Sequence, residues 1–306
     1  LSFFLRCLPF LAAVGLMPGH ARAQTAPPAS PASIDARILA LGEMSRFVPD
    51  KALIQLRQLE ADARGAPLLT RAEILSQLCL AHIRTGDNDA ALRLADRLVA
   101  DGEREKNDTV LAKGVLAKAY VMQALTERSA FHKLAYRAEQ LATTSDDVGL
   151  RVNAIVAAGE SRAEEGNFPA ALIKLQTAVE LARQSELPLP RLDALNSLAR
   201  LYDSMKEYGK GLEALDEAVL VAQGAHSAGE LALAKNDEYI LASDANQPER
   251  ARQALLDGLA IEQKLGAQRM VGKTLVNLSD SYLRQHDYAT TLTLANQAIG
   301  AAKISN

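Results

Sequence analysis

Residues 165–181 read EGNFPAALIKLQTAVEL. A Gly-Asn turn (Gly166, Asn167) leads through Phe168 into a stretch with small or apolar residues at Ala171, Leu172, Leu175, Ala178, Val179 and Leu181. That spacing marks one face of a helical period, so the stretch predicts the second half of a helix–turn–helix unit. The phrase returns as GDNDAALRLADRLV from Gly86, KEYGKGLEALDEAV from Lys206 and HDYATTLTLANQAI from His286. Gly86, Gly166, Lys206 and His286 lie 80, 40 and 80 residues apart, so the repeating unit is 40 residues.

Worked outward, the turn position falls at Gly86, Thr126, Gly166, Lys206, Asn246 and His286. Five residues past each turn stands a row of mostly small residues: Ala91, Phe131, Ala171, Gly211, Ala251, Thr291. Nine past comes Ala95, Ala135, Leu175, Leu215, Leu255, Ala295, and twelve past Leu98, Ala138, Ala178, Ala218, Gly258, Ala298. Small residues at these steps let neighbouring helices approach closely. The first helix of each unit has its own row, Leu75, Val115, Ile155, Leu195 and Leu275, broken by Lys235. Ahead of this array, Ile34–Met44 and Asp50–Arg64 predict a first helix pair, with Ser33 as N-cap and a turn at Ser45–Pro49.

These residues resemble the tetratricopeptide repeat family. Its Leu-small pair and Tyr in the first helix, aromatic after the turn and Ala in the second helix appear as Leu198-Ala199, Tyr202, Tyr208 and Ala218. They appear again as Leu278-Ser279, Tyr282, Tyr288 and Ala298. The family's usual unit is 34 residues; the longer unit here fits its longer-helix branch. The resemblance spans roughly residues 35–303 and implies an all-α, right-handed superhelical solenoid of antiparallel helix pairs, about seven repeats over residues 34–306. The units around Thr126, which lacks the turn Gly and aromatic, and Asn246, with Pro248 at the aromatic's place, are expected to pack less regularly.

Composition bounds the function. With 306 residues, 48% of them hydrophobic, the chain can bury a large interface, and a net charge of -3 gives no basic excess for nucleic acid. Residues 1–23 read as a cleaved signal peptide: Arg6, an apolar run from Leu8 to Leu16, and Ala21-Arg22-Ala23 as the cleavage pattern. The run is shorter than the roughly 20 residues a spanning helix needs. Export to a periplasm is the expectation. The chain opens on Leu1, which suggests a non-Met start codon or missing first residues. Residues 24–33, QTAPPASPAS, form a Pro/Ala-rich linker. Cys7 falls within the signal, leaving Cys79 as the only mature cysteine and a buried structural thiol.

No catalytic, cofactor or metal constellation stands out. His82, His132, His226 and His286 have no second histidine at ligand spacing, and no nucleophile-elbow or phosphate-loop motif occurs. The chain is therefore expected not to be an enzyme. In stacked helix pairs the first helices line the concave surface. The family's groove positions, carried over, imply Glu160, Asn196, Arg200, Asp203, Asn236 and Asp280, a set able to clamp a peptide backbone or carboxylate. The competing reading is a solvated helix face, as the Asp280–Arg284 spacing suggests.

The last helix, Tyr288–Lys303, carries Leu292, Ala295, Ala298 and Ile299 on its packing side with no polar cap after it. More chain, or a partner, is expected to cover it. A signal, a Pro/Ala linker and a long 40-residue repeat array together resemble the periplasmic N-terminal sensor region of bacterial GGDEF proteins. That resemblance implies a protein- or peptide-binding input domain, with a membrane tether and a diguanylate cyclase in missing C-terminal sequence. Two alternatives are the input region of a sensor histidine kinase and a free-standing periplasmic scaffold for envelope protein assembly. The sequence leaves the ligand and oligomeric state open.

Overall fold

A computed structural model describes residues 33–305; the expected signal segment, Cys7 and the linker up to residue 32 lie outside the described residues. Fourteen α-helices and no strand occur among the described residues. They form seven antiparallel pairs. The pairs are α1 (Ile34–Phe47) with α2 (Pro49–Asp62), α3 (Leu68–Thr85) with α4 (Asn88–Glu105), and α5 (Asp108–Ala124) with α6 (Arg128–Ala142). There follow α7 (Val148–Glu164) with α8 (Phe168–Gln184), α9 (Pro188–Ser204) with α10 (Tyr208–Gly224), α11 (Ala228–Asp244) with α12 (Pro248–Leu265), and α13 (Gln268–Leu283) with α14 (Tyr288–Ser305).

The connections explain the period. Gly86, Thr126, Gly166, Lys206, Asn246 and His286 all have positive φ, at the six positions the 40-residue ruler marks. Each ends its helix in the same pair of backbone bonds; at the first turn Gly86 N–H donates to Ile83 O and Asp87 N–H to His82 O. A left-handed residue is what satisfies these last carbonyls. The next residue often caps the following helix: Asp87 accepts from Ala90 N–H at 3.1 Å and Asn167 from Ala170 N–H at 3.3 Å. Between pairs the device recurs at Lys106, Glu186, His226 and Gly266.

Packing follows the predicted rows. Ala91, Phe131, Ala171, Ala95, Ala135, Leu175, Leu98, Ala138 and Ala178 are all buried, and a continuous apolar spine runs through the array. The backbones approach closely at two glycines: a Cβ at Gly114 would stand 2.5 Å from Val99 N, and one at Gly102 2.5 Å from Leu111 N. Cys79 is buried as expected; its thiol donates to Ala91 O at 3.3 Å, and burial pushes its pKa up to about 12.

Three expectations need correction. The first turn is Val48 alone, because α1 runs on to Phe47, with Pro49 at the start of α2. The units at Thr126 and Asn246 keep the regular turn: Phe131 fills the core in one, and Pro248 sits in the first turn of α12, where its missing N–H costs nothing. From α3 onward the irregular connection is instead the one after α6, which has 15 residues and is followed by no positive-φ residue. At α14, Ala298 is buried against Val271 and Leu275, whereas Leu292 and Ile299 face outward, 65% and 55% exposed.

The first helices pack on one another in succession, α1 on α3, α3 on α5, α5 on α7, α7 on α9 and α9 on α11. They make the inner wall of the superhelix. The winding is tight enough that α1 meets α11.

Candidate functional site

The inner wall is built from rungs one repeat apart. Glu73 and Lys113, 40 residues apart, are joined at 2.5 Å, and Lys113 also reaches Asp147 at 2.7 Å. Glu160 and Arg200, again 40 apart, are joined at 2.9 Å. Both partners of such a rung occupy the same helical position in successive units, so the repeat itself brings them together.

Around Glu160 the wall opens into a pocket of about 380 Å³ lined by Gln123, Glu160, Ser197, Arg200 and Ser204, with Leu175 and Leu201 behind. Glu160 is held on several sides. It accepts from Ser197 Oγ at 2.7 Å, from Arg200 Nη2 at 2.9 Å and from Gln123 Nε2 at 3.3 Å. Arg200 turns its other arm toward Asp237, 3.7 Å away, while more than half of its side chain stays exposed. Burial is the largest influence on Asp237 and raises its pKa, because Arg200 compensates it only in part. One guanidinium thus serves two carboxylates and still presents donors to the pocket.

The six residues implied by the family do not form one site. Glu160 and Arg200 come together. Asn196 does not join them: it is buried within the wall, its Oδ1 without a hydrogen bond. Asn236 points outward from the groove, donating to Glu262 at 2.8 Å and accepting from Thr274 at 3.5 Å. Asp203 stands beside Asp244; burial, then this like charge, raises its pKa. Asp280 is spent on Arg284 at 2.8 Å, the solvated pair its spacing suggested. The residues missed were Ser197, Gln123 and Asp237. Ser197 and Asp237 lie 40 apart and share one phase, while Gln123 and Ser197 stand 37 residues to either side of Glu160, so stepping the repeat from Glu160 reaches Arg200 but none of the three.

A second cluster joins the ends of the superhelical turn. Arg46, near the C-terminus of α1, grips Asp193 of α9 through two bonds of 2.7 Å each. The same guanidinium approaches Glu230, in the first turn of α11, at 3.2 Å. Ser227, the N-cap of α11, donates to Glu43 of α1. Arg84, at the end of α3, donates to Ser45 at 2.7 Å, and Arg269 of α13 donates to Arg84 O at 3.1 Å. Cations at helix C-termini thus face acids near helix N-termini, the placement each helix dipole favours. Burial, outweighing Arg46, pushes the Glu230 pKa up to about 7, whereas Arg46 holds Asp193 below the usual carboxylate range despite its burial.

The histidines play local roles. His82 is buried, 3.2 Å from Asp87, and burial lowers its pKa; His132 shares a 2.8 Å bond with Ser161. His226 and His286 are exposed turn residues. No group of three His, Cys, Asp or Glu side chains suited to a metal ion occurs among the described residues. No helix among them is long and apolar enough to cross a membrane.

No protein-family model matches the sequence, and no curated protein matches it. Solved helical-repeat structures do. A Rap protein complexed with competence and sporulation factor superposes with a TM-score of 0.61 at 14% identity, covering 89% of this chain and 77% of that one. The Rap conjugation gene regulator of the plasmid pLS20, in complex with the Phr* peptide, gives 0.62 at 12% identity over 89% and 72%. BtubC from P. vanneervenii gives 0.56 at 16% identity over 74% and 91%. At these identities the likeness establishes the fold, a tetratricopeptide-like solenoid.

Proposed function

We propose that the array is a receptor for a peptide or an extended protein segment, held on the inner wall at the Glu160–Arg200–Asp237 pocket. The observation that carries this is Arg200, shared between two carboxylates at 2.9 and 3.7 Å yet more than half exposed to an open pocket. A planar guanidinium so placed takes a carboxylate or a backbone carbonyl with defined orientation. Two structures of like fold are complexes, one with competence and sporulation factor and one with the Phr* peptide, which supports the same use here. The role is binding, with no catalytic step assigned to this chain.

Selection of peptides from a displayed library on the purified chain tests the reading. Arg200→Ala is expected to weaken the selected peptides about tenfold or more, on the scale of a lost charge-assisted bond, with an unchanged helical circular-dichroism melt. Equal binding by the two proteins removes the site.

The wider assignment is export to the periplasm and service as the input region of a membrane-bound signalling protein such as a diguanylate cyclase. It rests on the signal-like residues 1–23 and the linker that follows. A fusion of residues 1–40 to alkaline phosphatase is expected to be active outside the cytoplasm; an inactive, retained fusion overturns export. A GGDEF motif encoded after Asn306 supports the cyclase output, and a stop codon there removes it.

A further inference from the structure

Arg46 and its two carboxylates have the form of a bound ligand and its receptor. The guanidinium comes from α1, the carboxylates from α9 and α11, 147 and 184 residues away in sequence. It meets Asp193 in the parallel two-bond arrangement at 2.7 Å that only a planar fork makes. Glu230 is served less well. Its approaches to Arg46 are 3.2 and 3.4 Å, its Oε1 has no hydrogen bond of good geometry, and its side chain is fully buried. The neighbouring Arg84 is committed to Ser45 at 2.7 Å.

The contact that delivers Arg46 is small and specific. Phe47 packs against Gly229, where a Cβ would stand 1.9 Å from the ring. Two repeats earlier, the equivalent Gly149 has nothing nearer than 3.4 Å, from its own cap Asp147. Gly229 is therefore required by the docking of α1 and not by the packing of the repeat. Asp193 keeps a third of its side chain exposed.

We propose that Asp193 and Glu230 form an arginine-receiving subsite on the inner wall, that Arg46 occupies it in the closed superhelix, and that an arginine of the bound peptide displaces Arg46 and releases α1 from α11. This rests on the peptide-receptor reading and supplies one specificity element for it. Arg46 competes at the high effective concentration of a group in the same chain. Only a peptide that engages other parts of the wall as well displaces it.

The probe is the pentapeptide acetyl-Ala-Ala-Arg-Ala-Ala-amide against its lysine counterpart, titrated calorimetrically into the wild type, Arg46→Ala and Arg46→Ala/Asp193→Asn. Arg46→Ala is expected to bind the arginine peptide about tenfold more tightly than the wild type does. It is also expected to prefer that peptide over the lysine one, and to lose both gains with Asp193→Asn. Equal binding of the two peptides by a folded Arg46→Ala protein overturns the subsite. If that variant does not fold, Gly229→Val keeps every charged group while excluding Phe47, and the same gain and the same preference are expected of it; their absence overturns the proposal. Arginine-containing library peptides that need Arg200 but bind wild type and Arg46→Ala alike, with or without their arginine replaced by lysine, uphold the receptor and sink the subsite.

Discussion

Helices α7 and α11 hold equivalent places two repeats apart and bury opposite chemistry. Leu150, 4% exposed, corresponds to Glu230, 0% exposed. Ile155 corresponds to Lys235, Val156 to Asn236 and Ala158 to Glu238. Around α7 the spine is apolar, Val152, Val156, Leu175, Ala178 and Leu198, and the polar bonds of that helix gather near its C-terminal end, at Glu160 and Ser161. Around α11 it is held by pairs: Lys235 to Glu238 at 2.8 Å, Arg250 to Glu238 at 2.7 Å, and Glu262 accepting from Asn236 and Thr274 at 2.8 and 3.0 Å. Buried pairs of this kind contribute little net stability, since desolvation offsets their attraction. What α11 has in addition is a neighbour from the first repeat. Polar residues enter the spine at the unit on which the superhelix closes, and the repeat tolerates them because each finds a partner there.

Exchanging the two chemistries is the strongest way to break this comparison. Leu150→Glu places a carboxylate in the apolar cluster of Val115, Leu116, Ala154 and Ala157, and a loss on the order of 4 kcal/mol or more is expected in urea unfolding. The reciprocal Glu230→Leu leaves Arg46 its bidentate partner and is expected to change stability by no more than about 1 kcal/mol. A loss as large as that of Leu150→Glu would mean that Glu230 supports the repeat itself rather than its contact with α1.

A smaller effect follows from pH. Glu230 faces Glu43 and Arg46 on α1, Arg84 on α3 and Asp193 on α9. Its folded pKa of about 7 lies above the ordinary 4.5, so the native protein binds a proton that the unfolded chain releases. The resulting stability is present below about pH 4.5 and is lost as pH rises through 7, at most about 3 kcal/mol in total. Asp193, held low by Arg46, acts with the opposite sign and only in more acid solution. Thermal unfolding is expected to show a higher midpoint at pH 6 than at pH 8, and Glu230→Gln to flatten that slope. An unchanged slope in the glutamine variant assigns the titration elsewhere.

Smaller still is the change expected at Glu262, whose Oε2 has no hydrogen bond and whose pKa is raised chiefly by burial. Glu262→Gln retains an acceptor for Asn236 and Thr274 and removes the charge. A gain of about 1 kcal/mol is expected at neutral pH, read in the same urea titration; a loss shows that the charge itself is needed.

The architecture was legible because a period of 40 governs backbone and packing alike. Ala91, Phe131 and Ala171 could be placed in the core from their phase, and Gly86 and Gly166 at turns from their chemistry. The site was half legible. Glu160 and Arg200 share a phase and meet, whereas Asn196 and Asn236 share another, shifted by four residues, that turns into the wall. Polarity alone did not separate the two, because the repeat buries polar residues too, Asn196 and Ser197 on α9 and Glu230 and Glu238 on α11. The closure was illegible: Arg46, Asp193 and Glu230 come from different repeats at no common spacing, and only the pitch of the superhelix brings them together.

The turns give the finest version of the same comparison. Gly166 and Thr126 both sit in the left-handed region, φ 78° and 60°, and donate the same bond to the carbonyl three residues back. Glycine takes that conformation freely; a β-branched residue takes it only under strain. The fold imposes the turn at Thr126 because the rows on either side, Val121 and Phe131, are fully buried and in register. Thr126→Gly is therefore expected to raise stability by about 0.5–1 kcal/mol, the strain relieved exceeding the added freedom of the unfolded chain. Gly166→Thr is expected to lower it by about as much or more. Matched urea titrations of the two variants decide it: if both lower stability, the threonine makes a contact that outweighs its strained backbone, and the turn is set locally rather than by the helices it joins.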